Sequence, residues 1–392
     1  LRQLVLAGAG HSHALVLREL ALAPLAGVEV RVVSPQARAP YSGMVPGWLA
    51  GHYAFDDIVV DFPRLCAAAG ARWVEGEIDA IDPARRRLRL ADGEELPYDA
   101  LSLNVGSTLR PPPTSHALML PLRPLAELRA RYESLLARLA EERRDDPLVV
   151  TSVGGGAAGF EALLGVLAQL RATLDRPVLG SWVSRGTELL PGFSAPARRA
   201  ALRALRRADV TVQLGTAWCE VKDQGSDLVL WATGAEAHDW QRDTARRGAL
   251  AVDEQGFIRI DEHLRSVSHA QIFAAGDCAS WASPALPKAG VYAVRMGLVL
   301  ANNLRAALGA PAPLQAFRPQ HRFLALLATG DGRAIASRGP FGAEGRWAWR
   351  WKDRIDRRFL AQFQGLSPRP EGPAPALRKA ATTTTRSTGG SA

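Results

Sequence analysis

The sequence predicts an α/β protein with two Rossmann-like dinucleotide-binding domains, the second inserted into the first, plus a small C-terminal region. Three observations predict it. A strand, a glycine turn and a helix open the chain at Leu4-Val5-Leu6-Ala7-Gly8-Ala9-Gly10-His11-Ser12-His13. The same pattern returns at Leu148 to Val153 and Gly154-Gly155-Gly156-Ala157-Ala158-Gly159. Each copy closes on an apolar strand ending in glycine, Asp99 to Gly106 and Asp227 to Gly234. A unit that recurs in this way is an internal repeat.

Each element follows from its residues. Gly8 permits a tight turn and Gly10 lets the backbone approach a pyrophosphate, whose charge the N-terminus of the next helix favours. The first copy has His13 where the third glycine belongs, which predicts a helix packed less closely on its strand. Val28 to Val33 alternates as a second strand and ends at Ser34, which can bond a ribose less strongly than a carboxylate would. A loop rich in glycine and aromatics follows at Tyr41 to Trp48, then a helix from Phe62 to Gly70 and a meander from Ile78 to Leu101 with its turn at Asp92-Gly93.

Pro111-Pro112-Pro113 marks a break before a long charged helix from about Pro124 to Arg144. The second copy has all three glycines, a second strand from Val178 to Val183 and a third at Val210 to Val212. It is shorter: Gly8 to Gly106 spans 98 positions, Gly154 to Gly234 only 80. A late strand, Ile272 to Ala275, ends in Gly276-Asp277, and a helix runs from Ala289 to Leu304. Trp347, Trp349 and Trp351 then alternate ahead of a basic amphipathic stretch from Lys352 to Phe363. The expected division is 1–112 with 239–310 for the first domain, 113–238 for the shortened second, 311–366 for the C-terminal region and 367–392 for a disordered tail.

Composition bounds the function. The chain has 392 residues, 47% hydrophobic and 22% charged, as in globular proteins. No apolar run approaches the roughly 20 residues of a membrane span, and the N-terminus reads as strand and turn, so a cytoplasmic location is expected. The net charge of +9 suits anionic partners, but no nucleic-acid-binding module is visible and no nucleic acid is expected. Cys66, Cys219 and Cys278 form no paired motif, which predicts buried thiols and no metal.

Taken together, Gly8/Gly10, Leu103-Asn104-Val105-Gly106-Ser107, Gly154/Gly156/Gly159, Ala232-Thr233-Gly234 and Ala275-Gly276-Asp277 resemble the two-dinucleotide-binding flavoproteins of glutathione-reductase type, a superfamily that includes the type II NADH dehydrogenases and the sulfide:quinone oxidoreductases. The resemblance implies FAD in the first repeat and NADH or NADPH in the second. For FAD it points to Gly8, Gly10, His11, Ser12, Ser34, Ser42, Gly43 and Ile78, with Val105, Gly106, Gly276, Gly290 and Val291. Asp277 is expected at the ribityl chain and diphosphate. For the nicotinamide nucleotide it points to Gly154, Gly156, Ala157, Gly159 and Gly234. Glu161 reads either as the acidic group beside the nicotinamide or as a partner for its helix dipole. Arg185 reads either as a partner for the 2′-phosphate of NADPH or as a surface arginine.

More narrowly, Gly8 to His13 with Tyr41 to Gly47 and Ala50-Gly51-His52-Tyr53 resembles NADH-dehydrogenase-like flavoproteins found alone or fused ahead of selenide, water dikinase. The glutamines that flank the quinone in type II dehydrogenases are replaced at Gly290-Val291-Tyr292-Ala293-Val294-Arg295, which puts quinone in doubt as acceptor. Lys288, Tyr292 and Arg295 are acceptor-site candidates, with solvated surface as the other reading of the two cations. No cysteine pair is available for thiol relay. The aromatic-basic stretch 346–363 reads as a peripheral membrane contact, as cover for the protein's own core, or as a homodimer contact. The expected activity is hydride transfer from NAD(P)H to FAD and on to an unidentified small-molecule acceptor; the alternative is a flavin-binding regulatory module of selenium metabolism that uses no nicotinamide. No catalytic side chain is assigned.

Overall fold

The computed structural model describes residues 1–113, 117–142, 144–218, 225–281, 286–320 and 323–368. Cys219 and all but the first two residues of the expected disordered tail lie outside them.

The chain begins with β1 (Arg2–Ala7), α1 (His11–Leu22) and β2 (Val28–Ser34), passes the short α2 (Val45–Leu49), and adds β3 (Arg72–Glu75). Three short antiparallel strands, Ile78–Asp82, Arg87–Leu90 and Glu95–Pro97, precede β4 (Ala100–Leu103). The second unit comprises β5 (Leu118–Pro121), α3 (Leu125–Glu141), β6 (Leu148–Val153), α4 (Ala157–Thr173), β7 (Val178–Ser184), α5 (Ala195–Arg207), β8 (Val210–Leu214) and β9 (Leu228–Trp231). Then come β10 (Ile272–Ala274), α6 (Gly290–Ala307), the strands β11 (Ala325–Ala328), β12 (Ala334–Arg338) and β13 (Phe341–Gly345), and α7 (Arg346–Ala361).

Two five-stranded parallel sheets share one topology. The first runs β10-β4-β1-β2-β3 and the second β5-β9-β6-β7-β8, so each glycine-turn strand, β1 or β6, sits at the centre. Their strands are apolar on both faces, as helix-covered parallel strands must be: Leu4 to Ala7 and Leu228 to Leu230 are all buried. The chain leaves the first sheet after β4, builds the whole second sheet, and returns as β10 beside β4. The second copy is shorter than the first both between its second and third strands, β7 and β8, and between β8 and β9, yet its five-stranded sheet is complete.

The units are braced beside the site. A Cβ at Gly165 of α4 would stand 2.9 Å from the Pro46 carbonyl oxygen, so α2 rests directly on that helix backbone. The Tyr132 hydroxyl of α3 donates to the Leu49 carbonyl at 2.8 Å. The C-terminal helix differs from expectation. It begins at Arg346, so the three tryptophans lie within α7, not ahead of it. Trp347 and Trp351, four apart, stack outward with ring centroids 6.2 Å apart, while Trp349 turns inward against His52 and Tyr53.

Candidate functional site

Both glycine turns open onto one cleft of about 2300 Å³. The turns are forced by close packing: Gly8 and Gly154 have φ of +102° and +126°, and a side chain on either would overlap the carbonyl of Asn104 or Ala232, the facing residues of the closing strands. A Cβ at Gly106, Gly156 or Gly234 would meet nothing within 4 Å, leaving open cradles at the second turn and at both strand ends, whereas one at Gly10 would stand 2.1 Å from the Asn104 side-chain oxygen. Pyrophosphate groups fit such cradles, because backbone N–H groups can approach without a side chain between.

Most residues expected to hold FAD line this cleft: Gly8, Gly10, His11, Ser34, Ser42, Gly43, Ile78, Val105, Gly106, Asp277, Gly290 and Val291. Ser12 does not. It is fully buried, its N–H and that of His13 both donate to the Asn104 side-chain oxygen at 3.1 and 3.2 Å, and its hydroxyl donates to the Ala293 carbonyl. Of the N–H groups in the first helical turn, that of His11 has no hydrogen-bond partner among the described residues, and His11 lines the cleft. Gly276 also stays outside, behind Asn104 and Ala293.

His11 accepts from the Ser42 N–H through Nε2 at 3.2 Å, and burial lowers its pKa to about 4, so it is neutral at pH 7. The Asp277 carboxylate is ion-paired with Arg123, which also donates to the Ser107 hydroxyl and to the Lys288 carbonyl at 3.1 Å. Arg123 carried no sequence signal, and Asn104, although within the motif Leu103 to Ser107, carried none for its hydrogen-bonding role, because both roles depend on strands from distant parts of the chain.

On the second turn Gly154, Gly156, Ala157, Glu161, Arg185 and Gly234 line the cleft, whereas Gly159 is buried where its missing side chain lets α4 approach β6. The dipole reading of Glu161 is corrected. The first turn of α4 holds no acidic residue, and Glu161 accepts the Ala328 N–H of β11 at 2.7 Å. Burial pushes its carboxyl up to about 7, against the pull of Lys352. Lys352 and Asp356 of α7 are 6% and 5% exposed and ion-paired at 2.6 Å. Lys352 also donates to the Gly43 carbonyl, and Tyr41 bonds Asp356. Sequence reasoning missed this pair, since i,i+4 charges on a basic helix normally face water.

The acceptor candidates fare unevenly. Lys288 lines the cleft, but its ammonium donates to the Ala279 carbonyl and lies 3.7 Å from the Phe257 ring centre. Tyr292 is buried, edge-on to Phe323. Arg295 is outside the cleft, its guanidinium 5.8 Å from the Phe323 ring centre. Cys66 and Cys278 are free, buried and absent from the cleft wall, and burial raises their thiols to about 12 and 11.

Known proteins share this architecture. The sulfide:quinone oxidoreductase of Aquifex aeolicus superposes with a TM-score of 0.73 at 15% identity, over 94% of this chain and 93% of that one. The structure of NDH2 from Plasmodium falciparum in complex with NADH gives 0.71 at 12% identity, over 92% and 97%. Ferroptosis suppressor protein 1 of Taeniopygia guttata is 25% identical over 284 residues, 67% of this chain and 71% of that protein. Residues 3–297 match the family described as pyridine nucleotide-disulphide oxidoreductase. The chain belongs to that family, whose members are FAD- and NAD(P)H-dependent oxidoreductases.

Proposed function

We propose that the protein passes a hydride from NAD(P)H, held at Gly154, Gly156, Ala157 and Gly234, to FAD, held at Gly8, Gly10, His11, Ser34, Gly106 and Asp277, and that the electrons go on to a small-molecule acceptor without a thiol relay. The observation that carries this reading is the single cleft onto which both glycine turns open. FAD supplies the redox chemistry when bound. The chain supplies orientation and a proton-holding group. Gly8, whose own N–H bonds the Val33 carbonyl, turns the chain so that the backbone of Gly10 and His11 lines the cleft where the diphosphate would sit, while Arg123 fixes the Asp277 carboxylate at the cleft wall. Glu161, with its carboxyl at about 7, can hold or release a proton near neutral pH where α4, β11 and α7 meet. The buried Lys352–Asp356 pair positions that wall.

The complete second sheet and its open glycine turn favour nicotinamide use over the purely regulatory reading. The narrower sequence resemblance to flavoproteins fused to selenide, water dikinase keeps selenium compounds among the acceptors to be tried, beside quinones, dyes and oxygen. The test is anaerobic mixing of the FAD-loaded protein with NADH or NADPH. Bleaching of the oxidised flavin band is expected with at least one donor, and an unbleached flavin with both rejects the reading.

We further propose peripheral membrane contact through the outer face of α7. Trp347 and Trp351 form an exposed apolar pair beside exposed Arg346, Arg350, Arg354 and Arg358. No helix among the described residues is long and apolar enough to cross a membrane.

A further inference from the structure

We infer that the second dinucleotide domain selects the 2′-phosphorylated donor, NADPH over NADH, through Arg185; this rests on the NAD(P)H reading above. The adenosine ribose of a dinucleotide on a glycine turn lies against the end of the next strand, where a carboxylate selects an unmodified ribose and an arginine a 2′-phosphate. Here β7 ends at Ser184, and its hydroxyl is so close to the second turn that a Cβ at Gly155 would stand 2.5 Å from it. That hydroxyl accepts the Gly186 N–H at 3.1 Å. The next residue, Arg185, is exposed, lines the cleft and has no ion-pair or hydrogen-bond partner among the described residues. The carboxylate in this loop, Glu188, is ion-paired with Arg198 at 2.6 Å. Among the described residues of this loop, no unpaired acid therefore competes for Arg185 or repels a phosphate there.

The molecule contains its own control. In the first repeat β2 also ends in a serine, Ser34, whose hydroxyl accepts the N–H two residues on, that of Gln36, at 3.3 Å. The residue between is Pro35, and the Gln36 side chain is taken by the Ala126 carbonyl. FAD carries no phosphate at that ribose hydroxyl, and the turn that would hold it carries no cation. The two serine turns match, and the arginine is present only on the repeat whose ligand comes in a 2′-phosphorylated form. A guanidinium can bind such a dianion through two parallel bonds.

The test is equilibrium binding of adenosine 2′,5′-bisphosphate and 5′-AMP to the full chain loaded with FAD, with flavin reduction by NADPH and NADH measured beside it. The 2′-phosphorylated ligand is expected to bind about ten- to a hundredfold tighter, with the advantage shrinking as salt rises. Arg185→Ala should bring the two affinities together, and Arg185→Lys should restore part of the gap. Equal affinities in the unaltered protein, or a preference that survives R185A, overturns the inference. If both donors bleach the flavin equally well, the inference fails and the oxidoreductase reading stands. If neither donor bleaches it while the bisphosphate still binds tighter through Arg185, the reverse holds.

Discussion

His13 shows what a residue out of pattern can be for. In the second repeat the Gly154 carbonyl accepts the indole N–H of Trp182 at 2.7 Å. Strand registers place Val32 at the equivalent position of the first repeat, a residue with no donor. There the Gly8 carbonyl takes its bond from His13 Nδ1 at 2.7 Å, and His13 Nε2 accepts from the Ser102 hydroxyl at 2.8 Å, a tautomer fixed because a carbonyl can only accept. The histidine replaces a packing glycine and also supplies the missing donor. Restoring the motif by His13→Gly should therefore lower the unfolding free energy, by about 2–4 kcal/mol, read as the urea midpoint; an unchanged midpoint would show the two bonds to be dispensable.

Two buried groups of opposite type give opposite pH signatures. His13 has its pKa lowered by burial to about 4, so the folded state stays neutral while the unfolded chain protonates near 6.5. Its contribution to stability is present above 6.5 and lost as pH falls toward 4. Glu161 has its pKa raised from 4.5 to about 7, so its contribution is full below 4.5 and lost as pH rises through 7. Glu161→Gln should abolish that second loss, raising the melting temperature at pH 8 by roughly 2 °C or more relative to the unaltered protein. If Glu161 also exchanges protons during turnover, the same variant removes the ionisation near pH 7 from the steady-state profile. A profile identical to that of the unaltered enzyme leaves Glu161 no part in proton movement.

At the scale of elements, Asn104 ties three pieces together. Helix α1 has Gly10 as its N-cap and no capping side chain of its own. Asn104, at the end of β4, caps it from across the sheet through Ser12 and His13, and its amide donates to the Ala275 carbonyl next to β10 at 2.7 Å. The second repeat has Ala232 in this place, leaving the N-terminus of α4 without that cap. Asn104→Ala should cost about 1–3 kcal/mol and lower the flavin retained through gel filtration; full retention would show that the cap does not position the first turn.

The elements themselves were largely legible. Both glycine turns, the closing strands and the returning Gly276-Asp277 strand are local patterns, and the structure assembles them as expected. What was not legible depends on long-range geometry. The direction of the Ser12 N–H is set by Asn104, and that of the Lys288 ammonium by Phe257 and Ala279. The three alternating tryptophans suggested a period of two, but they fall within a helix whose inner residues Ala348, Lys352, Asp356 and Leu360 recur every four. A charged pair in that inner row breaks the usual rule that charges face water, so the composition of the helix concealed it.

For the whole molecule, α7 joins a site to a surface. Its inner row closes the cleft beside Glu161, while its outer face carries Trp347 and Trp351, 49% and 43% exposed, with four arginines alongside. Two consequences follow from that division. Removing the helix would delete Lys352 and Asp356 and open the cleft, so loss of vesicle binding after truncation would say nothing specific about the outer face. Replacing only the outward residues separates the two. Trp347→Ser with Trp351→Ser should weaken partition onto anionic vesicles by roughly tenfold or more, and high salt should weaken it further by screening the arginines. The inner row is untouched by these changes, so bleaching of the flavin by the preferred donor should proceed as before. Vesicle flotation that is equal for the double variant and the unaltered protein would leave the tryptophan pair as a contact between copies of the chain, and sedimentation of the two proteins would then differ.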